Sequence, residues 1–173
     1  HIIFGFSGTE KVRMLSGGGI TFNGDTATAN ALDDYEEGTW TPSLSFSGTN
    51  NAASFNVQEG VYRKIGSMVF VAYALRSTNF NSSTGAVRIA GLPFSSTNTP
   101  VANISTNGVF PIQGVSFTGE FISQQLSGTL IELYGVSKAT SGANYTSIGV
   151  SEMNQTGNMF IKGQICYNVA KNN

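Results

Sequence analysis

Met159-Phe160-Ile161-Lys162-Gly163-Gln164-Ile165-Cys166-Tyr167-Asn168-Val169 alternates with a period of two. Met159, Ile161, Ile165, Tyr167 and Val169 share one parity, with Gly163 between them, while Lys162, Gln164 and Asn168 take the other. Successive side chains of a strand point to opposite faces, so this spacing predicts one long strand with a buried face and a wet face. Cys166 falls on the polar side, where a small, half-buried filler is the expectation rather than a nucleophile.

Working back from that strand, the same reading repeats. Met68 to Leu75 is apolar on both parities and predicts a central strand. Val87 and Ile89 flank Arg88, Val115 and Phe117 alternate ahead of Gly119, and Leu130 to Val136 is apolar on both sides of Glu132. Ile148 and Val150 predict a short strand, and Glu120 to Leu126 is readable either way, helix included. The links Asn79 to Gly85, Ser95 to Pro100 and Ser141 to Asn144 carry turn chemistry. No amphipathic helix of ordinary length appears, and the turns do not recur at one period, which argues against a propeller or β-helix. The expectation for residues 39–173 is an all-β head, an antiparallel β-sandwich of jelly-roll type.

Residues 1–38 read differently, as a stalk and neck. Ile2, Phe4 and Phe6 alternate, as do Val12 with Met14 and Ile20 with Phe22, and glycines at 8 and 17–19 punctuate the gaps. Strands this short cannot make a core of their own and need a cover. The cover is either the same segment of another chain or the chain's own globular domain. The first is preferred, which makes these seven apolar residues the expected oligomerisation contacts, in three copies around one axis. Asp25 is placed to cap a helical turn in the neck.

Composition narrows the function classes. The chain has 173 residues, enough for one domain with an appendage, and only 11 % of them are charged. Net charge is -1 and Arg63-Lys64 is the one adjacent basic pair, so nucleic acid is not an expected partner. No stretch approaches the roughly 20 apolar residues of a spanning helix, so membrane insertion is not expected either. The lone cysteine cannot close an internal disulfide.

Ala29-Asn30-Ala31-Leu32-Asp33-Asp34-Tyr35-Glu36-Glu37-Gly38-Thr39-Trp40-Thr41-Pro42 resembles a block of bacteriophage tail-fibre and related virion proteins. Arg13-Met14-Leu15-Ser16-Gly17-Gly18-Gly19-Ile20-Thr21-Phe22-Asn23-Gly24 is similar to the short-strand units that lead into fibre heads. Gly60-Val61-Tyr62-Arg63-Lys64-Ile65-Gly66 and Ile89-Ala90-Gly91-Leu92-Pro93-Phe94 fit the same pattern. The resemblance stops at Ser95. It implies a homotrimeric fibre in the virion that attaches to a host, with other virion tail proteins and a bacterial surface glycan or outer-membrane component as partners. It implies no catalytic residue.

The chemistry-bearing residues fit that picture. Asp33, Asp34, Glu36 and Glu37 gather four of the ten acids. The cluster reads as a divalent-cation site, as a glycosidase carboxylate pair or, as preferred here, as a solvated or interchain turn that pairs with Arg63 and Lys64. The spacing is not that of an EF-hand loop, and exposed pairs contribute about 0–1 kcal/mol each, so register is their expected role. Glu120, Glu132 and Glu152 sit singly, whereas glycan hydrolysis needs two carboxylates about 5–10 Å apart. His1 is the only histidine, so no held nucleophile–base pair is credible, and one His with one Cys builds no transition-metal site. No enzyme activity, cofactor or metal is expected. Trp40 reads as an anchor between neck and head.

Binding remains. Asn79-Phe80-Asn81-Ser82-Ser83 and Asn144-Tyr145-Thr146 each place an aromatic between polar neighbours in a loop, as carbohydrate recognition requires, or else tuck the ring into the core. Asn79, Phe80, Asn81, Asn144 and Tyr145 are therefore the candidate receptor contacts. The expected function is a fibre tip that holds the host surface by reversible multivalent binding. The alternatives are a purely structural virion protein (capsid decoration or fibre connector) and, less favoured, a polysaccharide-degrading tailspike.

Overall fold

A computed structural model describes residues 1–97, 112–114, 121–137, 144–154 and 159–170. Along the chain the first strands are β1 (Ile2–Phe6), β2 (Thr9–Met14), β3 (Ile20–Phe22), β4 (Tyr35–Trp40), β5 (Ser43–Phe46), β6 (Ser54–Ile65) and β7 (Met68–Asn79). They are followed by β8 (Val87–Ala90), β9 (Ile112–Gln113), β10 (Phe121–Ser127), β11 (Leu130–Ser137), β12 (Asn144–Ser147) and β13 (Met159–Asn168). The helical turns among the described residues are 3-10 turns at Thr28–Asn30 and Val150–Glu152.

Three antiparallel sheets result. β1-β2-β3 form a small N-terminal sheet; β4-β6-β7-β13-β9 form one layer of the head; β10-β11-β8-β5, with β12 also on β11, form the other. The chain passes between head layers at β4 to β5, β5 to β6 and β7 to β8, while β6-β7 and β10-β11 are hairpins within a layer. This is the expected all-β sandwich.

β13 behaves as its alternation requires. Met159 and Ile161 are wholly buried, Ile165, Tyr167 and Val169 nearly so, and Lys162 and Gln164 are exposed. β7 is the central strand, paired with β6 on one side and with β13 from Met68↔Asn168 to Ser77↔Met159 on the other. Its Val69, Val71 and Leu75 meet Val87, Ile89, Ile131 and Leu133 of the opposite layer in one apolar cluster. Each such burial is worth about 1.5–3 kcal/mol, which explains how the head holds together without a disulfide.

Gly163 interrupts the apolar parity of β13 for a steric reason. The ring of Tyr73, its partner across the sheet, lies where a Cβ at 163 would stand. One strand further, the Trp40 indole takes the same place over Gly60. Trp40 and Tyr73 meet edge to face at 6.1 Å, and the indole Nε1 donates to the carbonyl of Val61 at 3.2 Å. Trp40 is thus the anchor the sequence suggested.

The expectations for Glu120 to Leu126 and for Ile148 with Val150 change. Phe121–Ser127 is a strand, in hairpin with β11, which settles the ambiguity against a helix. Ile148 follows β12 and Val150 opens a 3-10 turn, so no separate strand forms there, although both side chains are buried. Val115 and Phe117 lie outside the described residues, as do parts of the Ser95–Pro100 and Ser141–Asn144 links. In the neck the turn is a single one: Asp25 Oδ1 accepts from the Ala27 N–H at 2.8 Å and Oδ2 from the Asn30 amide at 2.7 Å. These donors, the Ala27 N–H first, hold the Asp25 carboxyl below its ordinary range. β4 runs through the expected 38/39 boundary and pairs with β6 from Tyr35↔Ile65 to Trp40↔Gly60.

Candidate assembly and receptor surfaces

The N-terminal sheet lines up its apolar residues by register. Ile2 pairs with Met14 and Met14 with Ile20; Phe4 pairs with Val12 and Val12 with Phe22. Directly opposed residues share a face, so six of the expected oligomerisation contacts form two rows, and Phe6 prolongs them along β1. Leu32 bridges to Ile20 through two backbone hydrogen bonds of 3.0 and 2.9 Å and adds to the first row. Most of this face is open: Phe6 is 79 % exposed, and Ile2, Phe4 and Phe22 are each more than half exposed, with Val12 and Ile20 half-buried. The reverse face carries Ile3, the buried Thr21 and a forked Arg13–Glu10 pair at 2.8 and 2.5 Å. That pair is the main reason the Glu10 carboxyl is held below its ordinary range.

The acidic cluster of the neck is divided by the pleat of β4. Glu37 lies opposite Arg63 on the outward face, and Glu36 lies opposite Lys64 on the inward one. The four carboxylates therefore do not converge on one point. Arg63 pairs with Glu37 at 3.6 Å with both side chains more than half exposed, as foreseen. The other pair corrects the sequence reading. Lys64 faces inward and is 1 % exposed, bonded to Asp34 and set 5.4 Å from the centre of the Phe94 ring. Asp34 precedes β4 and Lys64 belongs to β6, so this buried pair ties the neck to the head.

The Asn79–Ser83 loop also departs from expectation. Phe80 is 1 % exposed and packs against Phe46 at 5.4 Å, so it offers no stacking surface to a receptor. The amides are engaged as well. Asn79 Oδ1 accepts from the Asn81 N–H at 2.7 Å, the Asn81 amide donates to the Ala52 carbonyl, and Asn51 donates to the Asn81 carbonyl at 2.7 Å. Asn81 and Ser82 sit in the left-handed region, at φ 50° and 60°, a conformation whose steric cost for L residues these bonds offset. The loop is a braced structural turn. The second candidate is not a loop: Asn144 and Tyr145 lie in β12, opposite Ser137 and Val136, and their side chains fall outside what the structure describes.

Beside the braced turn lies an open cleft of about 460 Å³, lined by Ser82, Thr84, Gly85, Gly149 and Ser151 over Val150. Glu152 accepts from the Gly149 N–H at 2.7 Å. Gly149 and Ser151 lie more than sixty residues from Ser82, and no sequence signal joins them.

On the outer face of the other layer, Glu132 is held by Arg88 at 3.1 Å and by the Tyr134 hydroxyl. Donating to Glu132 raises the Tyr134 pKa. Glu132 and Glu152 are thus both engaged by local partners, and Glu120 lies outside the described residues. Cys166 sits half-buried on the polar face of β13, and burial pushes its thiol up. Among the described residues no three His, Cys, Asp or Glu side chains are grouped so as to hold a metal ion.

No protein-family model matches this chain, and no curated protein matches it significantly. Among solved structures, the crystal structure of the Dettilon tailspike protein is similar, with a TM-score of 0.59 and 17 % identity over 78 % of this chain and 24 % of that one. This chain spans about a quarter of that neighbour, and the likeness is one of fold.

Proposed function

We propose that this chain is the tip domain of a bacteriophage tail fibre, working in the virion tail as a homotrimer that attaches non-covalently to the host cell surface. The observation that carries the reading is the N-terminal sheet. Its apolar rows lie open in a single chain and lead directly into a sandwich whose core is closed. A segment built that way is sheltered by copies of itself. The fold likeness to a tailspike and the Asp33 to Pro42 block support the same assignment. Three tips on one axis multiply weak single contacts into firm attachment, which suits a bacterial surface glycan or outer-membrane component as ligand. The stalk end is then where other virion tail proteins join. Covalent chemistry has no part in this reading.

The test pairs light scattering on the full chain with binding to a panel of bacterial cells. A trimeric mass and saturable cell binding are expected. A trimer that binds no cell surface supports the second reading, a structural connector, which the braced Asn79–Ser83 loop favours by leaving Phe80 and both amides occupied. Release of reducing ends from host polysaccharide would make the protein a degrading tailspike instead.

A further inference from the structure

We infer that the cleft between the segments 82–85 and 149–151 is the receptor site of the head, and that it takes a neutral sugar unit of a surface glycan. The inference deepens the proposed attachment role and rests on it.

Place in the fold is the first argument. The neck reaches the head at the β6-β7 turn, where the Gly66 N–H donates to the Asp34 carbonyl at 2.7 Å. β7 then runs for 12 residues, from Met68 to Asn79. At about 3.3 Å per residue it carries the chain roughly 35 Å from the neck. Ser82 and Gly85 follow within a few residues, so the cleft lies at the end of the head remote from the stalk. That is the end a fibre tip turns towards a cell.

Construction is the second. Ala86 bridges to Gly149, and the Val150 N–H donates to the Gly85 carbonyl at 2.9 Å, so the two walls are fixed to each other through the backbone. Behind them Thr84 donates to the Thr49 carbonyl and accepts from the Gly48 N–H, both at 3.0 Å. Ser83 Oγ accepts from the Asn51 N–H and donates to the Asn51 carbonyl, both at 3.1 Å. Walls held in this way need little ordering when a ligand arrives, which lowers the cost of binding. At about 460 Å³ the cleft falls within the ~300–1,000 Å³ of small-ligand sites.

Chemistry is the third. Ser82 and Ser151 present exposed hydroxyls, each able to donate and to accept. Thr84 Oγ1 accepts from the Thr49 N–H at 2.8 Å, which leaves its proton to donate. Buried Val150 supplies an apolar floor. Hydroxyls around an apolar floor match a sugar ring, with hydroxyls at its rim and C–H groups on its faces. No lysine or arginine lines the cleft among the described residues, and the Glu152 carboxylate sits on the Gly149 N–H. An acidic sugar or a phosphate therefore meets no cation and a nearby negative charge. A cleft without an aromatic wall binds one sugar weakly, which suits attachment that gains its strength from repeated sites.

Two measurements on the full chain test this. Amide NMR is followed during titration with methyl glycosides of neutral hexoses and deoxyhexoses, with a methyl glucuronoside as the acidic control. Neutral glycosides should shift the Ser82, Gly85, Gly149 and Ser151 amides saturably, and the glucuronoside should not. Binding to bacterial cells is then compared between wild type and two variants. Gly149 lies at φ -91° and ψ 165°, open to any residue, and a Cβ there would stand 3.6 Å from both the Gly85 carbonyl oxygen and Ser151 Oγ. Gly149→Leu therefore fills the cleft and should weaken cell binding at least tenfold. Ser82→Gly removes one hydroxyl at a position, φ 60°, that glycine adopts without steric cost. It should weaken binding at least threefold with no fall in melting temperature, and it decides the matter should Gly149→Leu misfold. The inference is overturned if the folded variants bind cells as tightly as wild type, or if the glucuronoside shifts the cleft amides and the neutral glycosides do not; attachment then stands with its site elsewhere. A wild type that binds no cell while neutral glycosides shift the cleft amides keeps the sugar site and removes its receptor role, and one that binds neither removes both.

Discussion

Phe6 in the stalk and Leu133 in the head both occupy alternate positions of antiparallel strands, yet Phe6 is 79 % exposed and Leu133 is completely buried. Hydrophobicity does not separate them. Leu133 faces a second sheet, and Phe6 belongs to a sheet with no second layer among the described residues. Alternation makes one face of a strand apolar; a partner layer is what removes that face from water. The head supplies both layers from one chain, whereas the apolar rows of the N-terminal sheet lie largely open. The comparison predicts that damage to the head acts at every protein concentration and damage to the stalk only through association.

The largest effect is expected at the joint between the two regions. Lys64→Ala removes the cation from the largely buried Asp34 carboxylate and the ammonium from the Phe94 ring. Loss of about 3–5 kcal/mol is expected from a denaturant melt. Arg63→Ala, which opens the exposed pair one residue earlier, should change stability by less than about 1 kcal/mol. Equal losses from the two variants would refute the distinction between an inward latch and an outward register pair.

Leu133→Ala should cost about 2–5 kcal/mol, unaltered by dilution, because the cavity it leaves lies inside one chain. Gly163→Ala comes next. The added methyl meets the Tyr73 ring, and overpacking of this kind costs about 1–3 kcal/mol. A neutral Gly163→Ala would show that the Tyr73 ring can move aside.

Alkali offers a milder probe of the head. Burial raises the Tyr73 pKa and pushes that of Tyr167 up to about 12. The unfolded chain releases these protons near the ordinary value of 10. Above that pH the unfolded state binds fewer protons than the folded one, so the stabilisation is whole below pH 10 and is lost as pH rises towards about 12. Melts by circular dichroism across that window should show a falling midpoint, and a flat profile would contradict the burial of both rings.

The smallest effect on folding is expected in the stalk. Phe22→Lys should leave the melting of dilute protein within about 0.5 kcal/mol of wild type, while lowering the mass seen by light scattering at high concentration. A large loss at high dilution would mean that Phe22 is packed within its own chain after all.

Much of this architecture is legible in residue order. The long β13, the central β7, the strand at Leu130 to Val136 and the three stalk strands all follow from two-residue alternation. Trp40 as an anchor and the pairing of Arg63 with the acidic cluster were legible too. Phe80 was not. Flanked by asparagines in a turn, it has the local signature of a displayed ring, and only the approach of Phe46, more than thirty residues earlier, draws it inside. Lys64 is a parallel case, since a charged residue beside another charge reads as surface until Asp34 and Phe94 close over it.

The division has a simple cause. Which way a side chain points relative to its strand neighbours is set by backbone geometry within two residues, so the order of residues is enough to assign strands and to sort their faces. Whether a face is covered depends on what lies opposite, and that is settled by pairings between distant segments: Tyr35 with Ile65 with Met68, Ala86 with Gly149. The row that Tyr35, Ile65 and Met68 form and the cleft exist only once those segments meet, because no local pattern encodes the identity of a neighbour thirty or sixty residues away.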